Sequence, residues 1–599
     1  MEKKGNEKKK IIIMNQNLIK KMNFFLTPSI LDKYGFERKV YIFENCPYNT
    51  DATRIVYIIP RTRQYFPIIN KQYDCMYNLI QSEKKKGNYH YPLTYYSILM
   101  YPQVDLNLIE PVISKKNLEQ LIYPEFYTFY NFPLDIFPLD YDLLSLEDNN
   151  SFQELYLKND TSSLVRLSEA ITEIEILFGK IQNFYYKGDK GKLLHNIILR
   201  KENEENITKD LNKNDEILAC VLLDRSVDFI TPFASQFNYA GIIDDIFNIE
   251  LNSIEVDSII IDTPENKKKI IYLDQRDPFY YMIKDYNFNK IRIFLPKRLK
   301  THSEILETGK QINDLKKISN NLKLVKQIRN ERTSLTNHID IAQYISKIIT
   351  TPSYKRRLQL EQIMLSAKFE NEELYEFYDN EIGKKSDLYS ILKMIIIHCQ
   401  IKGGLKEKIF NKLKLEISLI YGFQSIILWN NLEKIKIIKK KDGNEYYKNI
   451  NKKLELIKHN VNVYEPNDPS YVFSGYCPIS IKLIESIFKK GWIGIKESLN
   501  KIPGESFYPD DESFIINPKY NSNIILLVFI GGISYSEIGC IRYLNKEFPK
   551  MKFIILTTCI INAKRIFDTL LINVNKNDLY SYKQYTNNLK EEIILNNKI

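Results

Sequence analysis

Four places in this 599-residue chain combine residue types that could do chemistry. A phosphate-binding loop needs two glycines five positions apart, then Lys and Ser or Thr, so that backbone N–H groups wrap the phosphate oxygens. In Lys187-Gly188-Asp189-Lys190-Gly191-Lys192 the residue five before Gly191 is Tyr186, and Leu193 replaces the hydroxyl. Phe529-Ile530-Gly531-Gly532-Ile533-Ser534 fails the same pattern, and both read as tight turns between strand and helix. Asp140, Asp142, Glu147 and Asp148 could be drawn as paired carboxylates for acid–base work. They sit in a Pro-containing, mixed polar stretch with no histidine nearby, and read as a solvated loop. The fourth place is 222–232, where Asp224 and Arg225 directly follow an apolar run. There an ion pair or a cap would fix the crossover, Asp228 and Thr231 would satisfy backbone donors, and Pro232 would set a rigid exit. Its expected role is structural.

Other reactive chemistries have few candidates. No GxSxG elbow, HExxH pair or DxDxDG calcium loop occurs. Six histidines (His90, His195, His302, His338, His398, His459) are spread along the chain. The seven cysteines (Cys46, Cys75, Cys220, Cys399, Cys477, Cys540, Cys559) form no CxxC pair, which fits a reducing compartment. No catalytic residue, cofactor or metal is expected.

The elements that would position these residues divide into two kinds. Short β-branched and aromatic runs at 39–43, 54–60, 217–223, 523–530 and 553–556 alternate with helical stretches such as 239–247 and 536–548. Continuous apolar strands alternating with helices predict parallel sheets covered on both faces. Between about 300 and 460, strand signals nearly vanish. Ile312, Leu315, Ile318, Leu322, Val325 and Ile328 recur at steps of three or four, predicting one amphipathic helix. A second, from Leu335 through Ile345 to a stop before Pro352, would complete a projecting hairpin. A helical insert between two α/β segments implies that the flanking segments share one sheet.

Length sets a prior of about four domains, and 44% hydrophobic with 13% aromatic residues is enough to build cores. The net charge, +11, is modest for this size and weighs against a nucleic-acid partner. Between Lys290 and Arg332, twelve basic residues stand against four acidic. The 1–22 stretch, rich in Lys and Asn, reads as a disordered basic tail, its apolar run at 11–14 too short for a signal peptide. The longest uncharged apolar stretch, 524–533, is half the ~20 residues that span a bilayer. A soluble cytoplasmic protein is expected.

The string VLLDRSVDFITPFASQFNYAGIIDDIF, beginning at Val221, resembles the signature of the SM (Sec/Munc) family, cytoplasmic proteins that bind SNAREs and promote membrane fusion. Further strings follow in the family's order. They are Phe137-Pro138-Leu139-Asp140 with Ser151-Phe152 and Asp160-Thr161 after it, and Ser334-Leu335-Thr336-Asn337-His338-Ile339-Asp340-Ile341-Ala342. Gly403-Gly404-Leu405-Lys406, 471–478 (YVFSGYCP) and GGISYSEIGCIRYL with TTCIIN resemble the vacuolar protein sorting branch.

The resemblance implies a three-domain SM arch: two α/β parallel-sheet domains with a large helical domain inserted in the second. On this chain the segments would be a tail at 1–22, domain one at 23–158, domain two at 159–275 and 481–599, and the helical domain at 276–480. A hairpin at about 300–350 would hold a Qa or R SNARE helix through Lys316, Lys323, Lys326, Arg329 and Arg332. In KKKDGNEYYKNI, Asp442-Gly443 signals a turn, and Tyr447 and Ile450 either tuck beneath the loop or anchor a partner. The matching segment of the vacuolar branch contacts the class C subunit, vacuolar sorting protein 16. That makes Lys439, Tyr447 and Ile450 the expected interface within a HOPS or CORVET tether, with membrane association through partners on late endosome, vacuole or lysosome. The alternatives are an SM protein of another trafficking step, which a SNARE N-terminal peptide bound to domain one would favour, and a nucleotide-dependent enzyme, which a nucleotide-shifted melting temperature would reveal. A nucleic-acid binder, exposed by salt-dependent filter binding, is a further one.

Overall fold

The computed structural model describes residues 10–571, except 23–25, 43–53, 61–84, 86–94, 102–126, 132–135, 206–216, 262–267, 275, 309–314, 443–445 and 509–522. The chain divides into two units, residues 1–139 and 140–599.

In the first unit, Ile11 to Met14 are the buried part of a strand, Lys10–Met14. It lies between Phe36–Ile42 and Arg54–Pro60 in a five-stranded parallel sheet that continues through Tyr95–Tyr101 to Tyr127–Asn131. The helix Gln16–Met22 follows, and Leu18 and Met22 pack with Ile12 and Met14. Over 10–22 the chain is therefore ordered rather than the expected tail, while residues 1–9 of that tail lie outside the described residues. A strand buried on both faces needs only a handful of consecutive apolar residues, so charged flanks do not argue against it.

In the second unit, the sheet runs in the order Ser506–Phe507, Phe184–Lys187, Ala219–Asp224, Ile524–Ile530, Lys552–Thr557, Leu143–Ser145, and ends on Phe137–Asp140, where the chain enters the unit. Strands from before and after the long helical stretch therefore share one sheet, as the alternation of elements predicted. Ala219–Asp224 is buried throughout and pairs in parallel with Ile524–Ile530. The expected domain boundary at 158 falls inside this unit. Leu143 pairs with Ile555, and 140–158 belongs to the second unit. A three-residue strand carries no periodicity that could mark it in sequence.

The stretch between is helical, after an antiparallel ribbon of Ser253–Val256 with Lys269–Tyr272. The helices include Pro278–Ile283, Phe288–Thr308, Leu315–Ile349, Pro352–Leu365, Leu388–Lys402, Glu407–Tyr421, Phe423–Lys434 and Tyr446–Leu454. The amphipathic helix expected over 312–328 and the second expected from Leu335 to a stop before Pro352 are one 35-residue helix, Leu315–Ile349. Neither Gly nor Pro interrupts it, and the six polar residues between the two apolar patterns, 329–334, are no barrier to helix. Its hairpin partner is Phe288–Thr308.

Packing in this unit also traps charge. On the helix Ser162–Phe178, Glu175 is buried and its Oε1 accepts from the Ile181 N–H at 3.0 Å. Burial pushes its carboxyl from 4.5 up to about 7. The folded state holds this proton more tightly than the unfolded chain, so stability is lost as pH rises from 4.5 through about 7. Glu175→Gln keeps the acceptor without the charge. Urea denaturation should find it more stable than the parent by roughly 1–3 kcal/mol at pH 8 and no different at pH 4. No gain at pH 8 would mean that the carboxylate is solvated.

Candidate functional site

The paired helices Phe288–Thr308 and Leu315–Ile349 carry the basic stretch. Ile328 is buried between polar neighbours in sequence, and Arg298 and His302 of one helix approach Glu331 of the other at 3.2 and 3.4 Å. Burial lowers the His302 pKa. The outer surface of Phe288–Thr308 mixes exposed Arg292, Lys297 and Lys300 with Ile293 and Leu299, 58% and 37% exposed. Basic residues interleaved with exposed apolar ones suit an acidic amphipathic helix as partner. Of the expected SNARE-binding residues, Arg332 is exposed on the long helix. Lys316, Lys323, Lys326 and Arg329 are placed on the same helix, and their side chains lie outside the described residues.

The lower half of the long helix is fixed by its own sequence. Leu335, His338, Ile341 and Ile345 recur at steps of three and four and are fully buried. His338 Nε2 lies 3.1 Å from Asp277 Oδ2, and its Nδ1 lies 3.0 Å from the Tyr239 hydroxyl. Ser334 donates to both Asp277 oxygens at 2.6 Å, while Asp277 caps the helix Pro278–Ile283 through the Tyr280 N–H. Burial would raise the Asp277 pKa, but hydrogen bonding and charge from His338, with Ser334, outweigh it and the pKa is lowered. Ser334 and His338 both belong to the string that carried the resemblance.

The strand exit at 222–232 has the structural role expected of it. Asp224 accepts from the Tyr156 hydroxyl and from the N–H groups of Lys190 and Ser226. Gly188 opens the turn into the helix Asp189–Glu205 at φ +101°, where a Cβ would lie 2.2 Å from the Asp224 Cβ. The glycine therefore serves close packing. Arg225 donates to both oxygens of Glu537 at 2.9 Å and to the Asp228 carbonyl, all fully buried. Burial works against its charge, but Glu537 and Asp228 outweigh it and raise its pKa. Asp228 in turn accepts from the N–H groups of Ile230, Thr231 and Ile479. At 529–534 the two glycines lead into a capping box, Ser534 with Glu537, on the helix Tyr535–Glu547.

The acidic cluster is not a solvated loop. Arg542 grips Asp142 through two nitrogens at 2.9 Å, reaches Asp140 at 2.5 Å and Asp285 at 3.1 Å. Lys284 joins Asp140 at 2.5 Å, and Arg166 pairs with buried Asp148 at 2.6 Å. Burial would raise the Asp140 pKa, yet Arg542 and Lys284 hold it below its usual value. The solvated reading failed because the countercharges arrive from remote parts of the chain. Glu537, Arg542, Asp277 and Asp285 were all missed as positioning residues. The Ser534–Glu537 spacing of a capping box is the one signal that could have found any of them.

Tyr447 and Ile450 are fully buried under the loop, and the Tyr447 hydroxyl donates to the Leu365 carbonyl at 2.8 Å. This corrects their expected role as exposed anchors: their spacing on Tyr446–Leu454 places both on its inner face. Lys439 stays partly exposed and pairs with Asp442 at 2.6 Å, its backbone tied to Leu405 and Cys399. Among the described residues, no group of three or more His, Cys, Asp or Glu could hold a metal ion, and no helix is long and apolar enough to cross a membrane.

A model of the Sec1 family matches residues 10–569. The vacuolar protein-sorting-associated protein 33 homolog of Arabidopsis thaliana is 28% identical over 578 residues, 94% of this chain and 93% of the relative. Vacuolar protein sorting-associated protein 33A of Rattus norvegicus is 28% identical over 581 residues, 94% of each chain. Among solved structures, the SM protein Vps45 in complex with Qa SNARE Tlg2 superposes with a TM-score of 0.62 at 15% identity, over 95% of each chain. The Unc18–syntaxin 1 complex from Monosiga brevicollis gives 0.64 at 14% identity, over 94% of this chain and 95% of that one.

Proposed function

The chain belongs to the Sec1 family, and on that premise we propose that it is an SM regulator of membrane fusion in vacuolar protein sorting, holding SNARE helices while they assemble. The observation that carries this reading is similarity over nearly the whole chain to vacuolar sorting relatives. The paired helices supply the physical means. The helical pair, anchored at Ser334 and His338, exposes Arg292, Lys297, Lys300 and Arg332, and two disordered chains held in register on it face a smaller entropy barrier to zippering. The work is positional, and no bond is made or broken.

The proposed SNARE contacts are Lys316, Lys323, Lys326, Arg329 and Arg332, for helices of the Qa and R type. The proposed assembly is a HOPS or CORVET tether, joined through vacuolar sorting protein 16 with Lys439 at the rim, on late endosome, vacuole or lysosome membranes. Affinity purification from the source cell tests this assembly, and loss of both the class C subunits and the SNAREs from the eluate defeats it. Reversing Lys316, Lys323 and Lys326 to Glu tests the charge. Binding to the SNARE helices should weaken about tenfold or more at low salt, less at high salt, with an unchanged melting curve. Unchanged binding would remove the hairpin's charge from the mechanism.

A further inference from the structure

The second unit also carries a basic tip that the proposed function does not use. It lies where the helix Tyr535–Glu547 turns into the strand Lys552–Thr557, over Lys546-Glu547-Phe548-Pro549-Lys550-Met551-Lys552. The Met551 N–H donates to the Phe548 carbonyl at 2.9 Å and closes the turn. The helix Ile479–Lys501 lies against it. The Phe488 ring sits 6.0 Å from Phe548 and 5.0 Å from Phe553, and Lys489 pairs with Glu547 at 2.7 Å. Lys490 follows directly. Lys490, Lys546, Lys550 and Lys552 are all exposed, and among the described residues none of the four forms an ion pair.

A cation in the last turn of a helix complements its dipole, which accounts for Lys546. It does not account for Lys550 and Lys552, beyond the helix, or for Lys490 on its neighbour. The acidic groups that approach the tip are committed elsewhere, Glu485 and Glu547 to Lys489, and Asp140 and Asp142 to Arg542. Four like charges gathered around one turn repel one another, and an external anion relieves them. The tip lacks what a protein partner would need. Protein interfaces are built on aromatic or aliphatic anchors, and among the described residues no large apolar side chain of 485–501 or 541–552 is exposed. A charged bilayer needs no such anchor. Clustered lysines are drawn to its anionic headgroups, each adding about fivefold to binding.

We infer that Lys490, Lys546, Lys550 and Lys552 form a docking surface for an anionic lipid bilayer. This goes beyond the proposed function, in which partners bring the chain to membranes, and does not depend on it. Sedimentation of the full chain with vesicles tests it. Vesicles of about three parts phosphatidylcholine to one of phosphatidylserine should bind the chain at least about tenfold more tightly than phosphatidylcholine alone, and high salt should abolish the difference. The variant Lys490→Glu/Lys546→Glu/Lys550→Glu/Lys552→Glu should lose that preference with an unchanged melting curve. The variant Lys33→Glu/Lys158→Glu/Lys355→Glu/Lys384→Glu reverses four exposed lysines elsewhere, changes the net charge equally and should keep the preference. Equal binding to both vesicle types overturns the inference, and so does a preference that survives reversal at the tip. A loss reproduced by the distant reversal overturns it too, since net charge alone would then be the cause. If reversal at the tip releases an acidic partner protein and spares vesicle binding, that protein is the occupant and the inference falls.

Discussion

Arg225→Met should lower the unfolding free energy by about 3–5 kcal/mol, among the largest effects available to one substitution in this chain. The guanidinium is fully buried and meets both oxygens of Glu537. Met fills a similar volume, so the loss is chiefly that of countercharge. Glu537 then keeps its bonds from Ser480 and from the Ser534 N–H and hydroxyl, but its charge loses the cation it pairs with among the described residues. The pair also joins distant parts of the chain. Arg225 follows the strand Ala219–Asp224, and Glu537 lies on the helix Tyr535–Glu547, beyond the whole helical stretch. Adding Glu537→Gln to Arg225→Met should recover part of the loss, because the amide still accepts from Ser480 and Ser534 without a buried charge. Urea denaturation of the two variants decides it. A loss below about 1 kcal/mol for Arg225→Met, or no recovery in the double variant, would mean that the pair contributes little.

This junction shows where the sequence was legible. Periodicity places the strands 54–60 and 523–530 and the helix 239–247 within a residue or so, because each is a continuous apolar run or a clear 3.6 pattern. Such patterns report burial, and burial is what a local window can sense. The site residues are of another kind. Asp224, Arg225 and Asp228 stood out as a built strand exit, yet their countercharge at Glu537 is visible only once the chain closes on itself. Tyr447 and Ile450 show the opposite case, where local polarity gave no way to choose between tucked and exposed, and tertiary packing decided for tucked. The strings that carried the resemblance supply residues to the same packing: His338 holds Asp277, Tyr471 donates to the Asp285 carbonyl, and Arg542 grips Asp285 itself. What those strings encode here is largely the bracing of the helical pair, rather than its outer surface.

That bracing gives Arg542 its weight. It holds Asp140 and Asp142 at the sheet edge against Asp285, three residues before the helix Phe288–Thr308 begins. Arg542→Met leaves three carboxylates facing one another with Lys284 as their remaining cation among the described pairs. The expected loss at pH 7 is again about 3–5 kcal/mol. Its pH dependence separates charge from packing. In the parent chain the Asp140 pKa lies below 3.8, so the stability it contributes is fully present above that value and is lost as pH falls through the folded value. In the variant the same carboxylate sits buried among like charges, which raises its pKa, and protonation on acidification relieves the repulsion. The gap between parent and variant should therefore be widest near neutrality and narrow below about pH 4. Arg542→Lys, which keeps the charge but not the two-pronged grip on Asp142, should lose less than Arg542→Met at pH 7. Because Asp285 leads directly into the paired helices, hydrogen exchange at 288–308 should speed up in Arg542→Met before the sheet strands respond. A gap that stays constant from pH 7 to pH 3.5 would assign the loss to packing of the side chain and not to its charge.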